Sequence, residues 1–85
     1  MNDEEFKKFL TKKLSLKECS PKNIGCKYIR KDWAEHYMKR QSVDEFWEWQ
    51  ILVHENECSS GWCILRDGEI VFTIGLVEVS DYVQS

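Results

Sequence analysis

The run Trp62-Cys63-Ile64-Leu65-Arg66-Asp67-Gly68-Glu69-Ile70-Val71-Phe72-Thr73-Ile74 has the pattern of a β-hairpin. Asp67-Gly68 supplies the two positive φ angles that a type I′ turn demands, and the flanking runs are strand-like over Trp62 to Arg66 and Glu69 to Val79. Along the second run Ile70, Phe72, Ile74 and Leu76 fall on one face, and Val71, Thr73, Gly75 and Val77 on the other. A strand that is apolar on both faces is expected to be central, or covered on both sides. Two strands alone are only marginally stable. The pattern therefore calls for a third strand, from Val79–Tyr82, from residues 47–53 or from a partner chain.

Upstream of the hairpin, Ser42-Val43-Asp44-Glu45 has the form of a capping box, which predicts a helix running to about His54 with Val43, Phe46, Trp47 and Ile51 on one face. The same residues carry a competing strand pattern, because Trp47, Trp49, Ile51 and Val53 alternate with Glu48, Gln50 and Leu52. Glu55 to Gly61 reads as a polar loop. Ile29, Trp33 and Tyr37 recur at helical spacing, so Tyr28 to Gln41 reads as a helix. Ser20-Pro21 suits a cap followed by proline at the first helical position, and Gly25 limits whatever starts there to about one turn. Residues 3–14 read as an amphipathic helix capped by Asp3, with Phe6, Phe9, Leu10 and Leu14 inward and Lys7, Lys8, Lys12 and Lys13 in water. The fold expected is α+β, with two or three helices packed on a small antiparallel sheet containing a C-terminal β-hairpin, as one domain over residues 1–85. Phe6, Leu10, Trp33, Phe46, Ile64, Phe72 and Ile74 are its expected core.

A chain of 85 residues buries only about 60–65% of its unfolded surface, so it cannot easily hide four Trp, three Tyr and four Phe. Some aromatic surface is expected outside, where it hints at binding. The net charge of −3 conceals two unlike halves. Residues 1–40 hold eleven Lys and Arg against six acids, a net of +5, while residues 41–85 hold only Arg66 against nine acids, a net of −8. No run approaches the ~18 apolar residues of a membrane span, and the acidic start Met1-Asn2-Asp3-Glu4-Glu5 lacks the apolar core of a signal peptide. A cytoplasmic location is expected, where Cys19, Cys26, Cys58 and Cys63 stay as thiols.

Motifs for catalysis are absent from the sequence. Zinc sites favour cysteine pairs separated by two residues, whereas six residues separate Cys19 from Cys26 and four separate Cys58 from Cys63. A looser cluster of His54, Cys58 and Cys63 with Cys19 or Cys26 is conceivable on spacing, but the expectation is no metal. No cysteine sits in a nucleophile signature, no glycine precedes a Lys-Ser or Lys-Thr pair, and carboxylate pairs such as Asp44/Glu45 lie in caps and loops. The expectation is a non-enzyme without cofactor.

Two segments suit macromolecular contact. Asp44, Glu45, Glu48, Glu55 and Glu57 cluster around Trp47 and Trp49. Aromatic rings give buried anchor area and carboxylates steer association with a basic protein surface. Trp49 is the expected anchor and Trp47 a core residue, because Trp47 shares the Phe46–Ile51 face. The alternative is nucleic-acid binding through Lys22, Lys27, Arg30, Lys31, Lys39 and Arg40, which offer charge for phosphates beside the aromatics Tyr28 and Trp33 for stacking, although Ile29, Trp33 and Tyr37 also read as the buried face of that helix. The leading expectation is a protein-binding module, such as a small inhibitor or adaptor that captures a larger partner.

Overall fold

A computed structural model describes residues 2–54 and 57–80. The architecture is α+β: a sheet of four antiparallel strands in the order β1-β2-β3-β4, with one long helix on one face. The strands are β1 (Leu10–Leu14), β2 (Asp44–His54), β3 (Glu57–Arg66) and β4 (Glu69–Ser80). The helices are α1 (Asp3–Phe6), a single turn, and α2 (Lys27–Met38). Two short 3₁₀ turns, Lys7–Phe9 and Pro21–Asn23, complete the described elements.

The hairpin turns where its sequence requires. Asp67 and Gly68 have φ of 53° and 82°, the left-handed pair of a type I′ turn. Pro21 opens its 3₁₀ turn after Ser20, and α2 follows with Ile29, Trp33 and Tyr37 turned to the sheet. Trp33 is the centre of this core, fully buried, with ring centroids 5.9 Å from Phe46, 5.5 Å from Trp62 and 6.1 Å from Phe72. Its indole N–H donates to the Cys19 carbonyl at 2.7 Å, so the one polar atom of the ring is satisfied. Leu14, Cys19, Ile24, Ile64 and Ile74 close the cluster.

Three expectations need correction. Residues 3–14 are not one helix. Asn2, not Asp3, caps α1 by accepting the Glu5 N–H at 2.9 Å, and the chain is extended from Leu10 onward. A bulge at Thr11 explains why helical spacing misleads here. Leu10 stands opposite Trp49 and Leu14 opposite Phe46, so the bulge sends the two leucines to opposite faces of the sheet, each into a different core. Residues 44–54 form β2 rather than a helix. The capping-box residues make a tight turn instead, in which the Asp44 N–H donates to the Gln41 carbonyl at 3.0 Å and the Gln41 N–H to the Asp44 carboxylate at 2.9 Å. Alternating aromatic and β-branched residues then take the strand, because pairing with both neighbours buries them on two sides. The third is Glu55 to Gly61, read as a loop: Glu57 to Gly61 form the first half of β3, and residues 55–56 lie outside the described residues.

β4 is an edge strand with apolar packing on both faces, the covered rather than the central alternative. Both its faces are apolar because the sheet has two cores. On the face opposite α2, Trp49, Cys63 and Leu65 are buried under Phe6, Leu10, Trp47, Ile51 and Ile70. Bulges at Val71 and Leu76 break the strict alternation of β4. Ile70 therefore pairs with Leu65 in this second core, while Phe72 pairs with Ile64 and packs against the α2 core. Of the expected core residues, Trp33, Phe46, Ile64 and Ile74 are buried, whereas Phe6, Leu10 and Phe72 are half-buried.

Candidate interaction surfaces

The acidic, tryptophan-bearing segment is largely engaged within the fold. Trp49 is only 8% exposed, so it is not a surface anchor. It lies across the sheet over Gly61, its register partner, with Phe6 edge-on at 5.5 Å. A Cβ at Gly61 would come within 2.7 Å of the Trp49 ring and 1.9 Å of the Ile74 carbonyl oxygen, so glycine is required there. The Trp49 indole N–H is buried and finds no hydrogen-bond partner among the described residues. Trp47, the expected core residue, is the more exposed of the two, half-buried with its N–H donating to Glu45 at 3.1 Å. Both rings lie on the same face of β2 and pack in the second core, and Trp49 is the deeper because it sits over Gly61 and under Phe6.

The carboxylates divide in the same way. Asp44 is 1% exposed at its side chain and accepts two bonds from Arg66, at 2.8 and 3.0 Å. The Arg66 hydrogen bond holds its pKa below the ordinary value. Glu45 is also held low, first by the Trp47 N–H and then by the charge of Lys13, 3.4 Å away. Glu48 lies within 3.3 Å of the Thr11 hydroxyl. Glu57 falls in β3, outside the described side chains, and Glu55 lies outside the described residues. Asp44, Glu45 and Glu48 do not form one cluster: Asp44 turns to Arg66 of β3, Glu45 lies on the Trp47 face, and Glu48 lies on the opposite face beside Thr11.

The basic segment is better presented. Lys22, Lys27, Arg30, Lys31, Lys39 and Arg40 are all exposed, and Tyr28 is 73% exposed with the Lys27 ammonium 5.4 Å from its ring. The buried stripe of α2 does not compete with this surface. The positive charge is diluted, however. Asp32 and Glu35 are exposed on the same helix, Glu35 pairs with Lys39 at 3.5 Å, and Arg40 folds back over the Tyr37 ring at 4.6 Å.

The thiols are dispersed. Cys19 and Cys63 are fully buried in separate cores, and burial pushes them up to about 11 and about 12. Cys58 and Cys63 are five residues apart on one strand and so face opposite sides of the sheet, which splits the looser zinc cluster. Cys26 is exposed at the N-cap of α2, where the backbone N–H groups of Ile29 and Tyr28 lower its pKa.

The sheet edges carry a feature the sequence pattern missed. β1, at one edge, is five residues long, bulged, and bears Lys12 and Lys13. These are the devices by which natural sheets discourage further pairing. β4, at the other edge, spans twelve residues with Glu69 and Glu78 as its only charges, and Val71 is 43% exposed. Among the described residues no strand pairs with its outer side. The available signal was Gly75 in mid-strand, an exposed position where a Cβ would meet nothing within 4 Å. No protein-family model, curated protein or solved structure matches this chain.

Proposed function

We propose that this chain is a non-catalytic protein-binding module, an inhibitor or adaptor that captures a larger partner by adding a strand of that partner to β4. The carrying observation is the unequal treatment of the two sheet edges. β1 is short and lysine-bearing, whereas β4, though bulged at Val71 and Leu76, is long and apolar with unpaired backbone along its outer side among the described residues. Main-chain hydrogen bonds along such an edge give affinity, and alternate side-chain positions give specificity. The high pKa of Cys19 and Cys63 is the reverse of what a nucleophile needs. No helix among the described residues is long and apolar enough to cross a membrane, and a cytoplasmic setting is proposed with this reading.

The test is a double variant, Val71→Lys with Gly75→Lys. Val71 is already part-exposed and a Cβ at Gly75 meets nothing within 4 Å, so both changes leave the packing intact. The variant should keep the wild-type melting curve and lose the proteins retained from native extract by the immobilised wild type. Retention of the same proteins by both forms places the contact elsewhere.

A second reading, nucleic-acid binding, is favoured by one observation: the buried stripe of α2 leaves Lys27, Tyr28 and Lys31 in water beside Lys22. It requires affinity that falls steeply with salt through counterion release, and loss of binding in Lys27→Glu/Arg30→Glu. Absence of any mobility shift with generic RNA or DNA at low salt removes it.

A further inference from the structure

We infer that the segment added to β4 carries lysine or arginine beside its apolar run, and that it belongs to a different protein rather than to a second copy of this chain. The inference rests on the strand-addition reading above and specifies the chemistry of the occupant. Asp67 and Glu69 stand exposed where β4 begins, and the sequence places Glu78 near its other end. The one cation of residues 41–85, Arg66, donates two hydrogen bonds to Asp44; it also stands opposite Glu69 and near Asp67, so one positive charge is shared among three acids at this end of the hairpin. Lys12 and Lys13 lie on β1, three strands away. At roughly 4.8 Å per strand that is about 14 Å, beyond the ~8 Å over which charge acts at physiological ionic strength. The α2 rings that reach Phe72 of β4 are Trp33, at 6.1 Å, and His36, at 3.6 Å, with Asp32 and Glu35 exposed on the same helix. Carboxylates at the edge are therefore left for a partner to neutralise.

A second copy would meet β4 with the same strand, from a half whose net charge is also −8. Like charges brought together oppose association, whereas a basic segment is steered to the edge and held in register. Regular pairing is also confined by the bulges at Val71 and Leu76, which leave Phe72 to Gly75 as the straight run between them. A short apolar stretch of the partner, extended and bordered by basic residues, fits that run.

Two synthetic peptides test this, each with a central Val-Thr-Val-Thr and a fluorescent label. One is flanked on both sides by two lysines and the other by two glutamates. Anisotropy titrations at low salt should give at least tenfold tighter binding for the lysine-flanked peptide, and 1 M salt should narrow the ratio. Asp67→Asn/Glu69→Gln should bring the two affinities within about threefold of each other. Asparagine tolerates the positive φ of position 67, so the turn is kept. Equal affinity of both peptides for the wild type overturns the charge inference and leaves strand addition standing. Binding of neither overturns both. A concentration-dependent dimer in sedimentation equilibrium, lost in Val71→Lys/Gly75→Lys, makes a second copy the occupant and overturns the inference.

Discussion

Replacing Trp49 by alanine tests whether the second core holds the sheet together. The ring is 8% exposed and packs on Phe6, over Gly61 and beside Cys63 and Leu65. A tryptophan buries about 150–250 Å², which at about 25 cal/mol per Å² corresponds to roughly 4–6 kcal/mol of transfer free energy. The covering segment around Phe6 and Leu10 is only half-buried and can settle into part of the space, so the expected loss is about 3–5 kcal/mol. That is a large share of the stability of a small domain. Trp49→Phe separates packing from polarity. It keeps a ring over Gly61 and removes an N–H that lacks a partner among the described residues, a group whose burial costs about 1–3 kcal/mol. The smaller ring loses a comparable amount of packing, so Trp49→Phe should fall within about 1 kcal/mol of the wild type on that balance. Urea titrations followed by far-ultraviolet circular dichroism measure both. A loss below about 1 kcal/mol for Trp49→Ala, or equal losses for both variants, would refute the burial argument.

Gly61→Ala should destabilise by about 1–3 kcal/mol, because its Cβ meets the Ile74 backbone, while Gly75→Ala should be neutral or slightly stabilising; equal midpoints in urea contradict this. The depressed pKa of Asp44 means that its pairing with Arg66 contributes stability above the ordinary carboxyl range, and that this is lost as pH falls through the folded value. Asp44→Asn should accordingly be less stable than the wild type at neutral pH and converge with it in acid, so melts that differ equally at pH 7 and pH 2 argue against the pair. Cys26 should alkylate fastest in the native state and Cys19 and Cys63 only on unfolding, as mass spectrometry of iodoacetamide-treated protein would report; early labelling of Cys63 would place it outside the core.

Local chemistry was legible in the sequence and pairing was not. Asp67-Gly68, Ser20-Pro21 and the Ile29-Trp33-Tyr37 stripe each act within a few residues, and each appears where its pattern places it. Residues 44–54 satisfied a capping box and a strand alternation at once. The choice was made by β1 and β3 on either side, which no local window contains. Thr11, Val71 and Leu76 were unreadable as bulges, because a bulge is defined against its partner strand. The anchor role expected of Trp49 fell to the same cause, since the ring is buried by residues distant in sequence. Trp47 and Trp49 share one face of β2, and Gly61 and Phe6 decide which ring lies deeper, while Arg66 and Lys13, distant in sequence, occupy Asp44 and Glu45.

An open apolar edge is ordinarily an aggregation hazard, so a binding role for β4 must explain why the strand does not pair with itself. Its two bulges and its charge supply the explanation together. Bulges twist a strand away from flat pairing, and those at Val71 and Leu76 leave a straight run of only four residues, Phe72 to Gly75. A self-template that short has few main-chain bonds to offset the entropy of association. The acids at its ends then act unequally on candidate partners, opposing another copy and favouring a basic segment. The lysine-bearing β1 edge lacks this combination, since added positive charge on a short bulged strand discourages all pairing alike. The same physics therefore closes one edge and makes the other selective. Adding lysine at Val71 and Gly75 should convert the selective edge into the closed kind without disturbing either core.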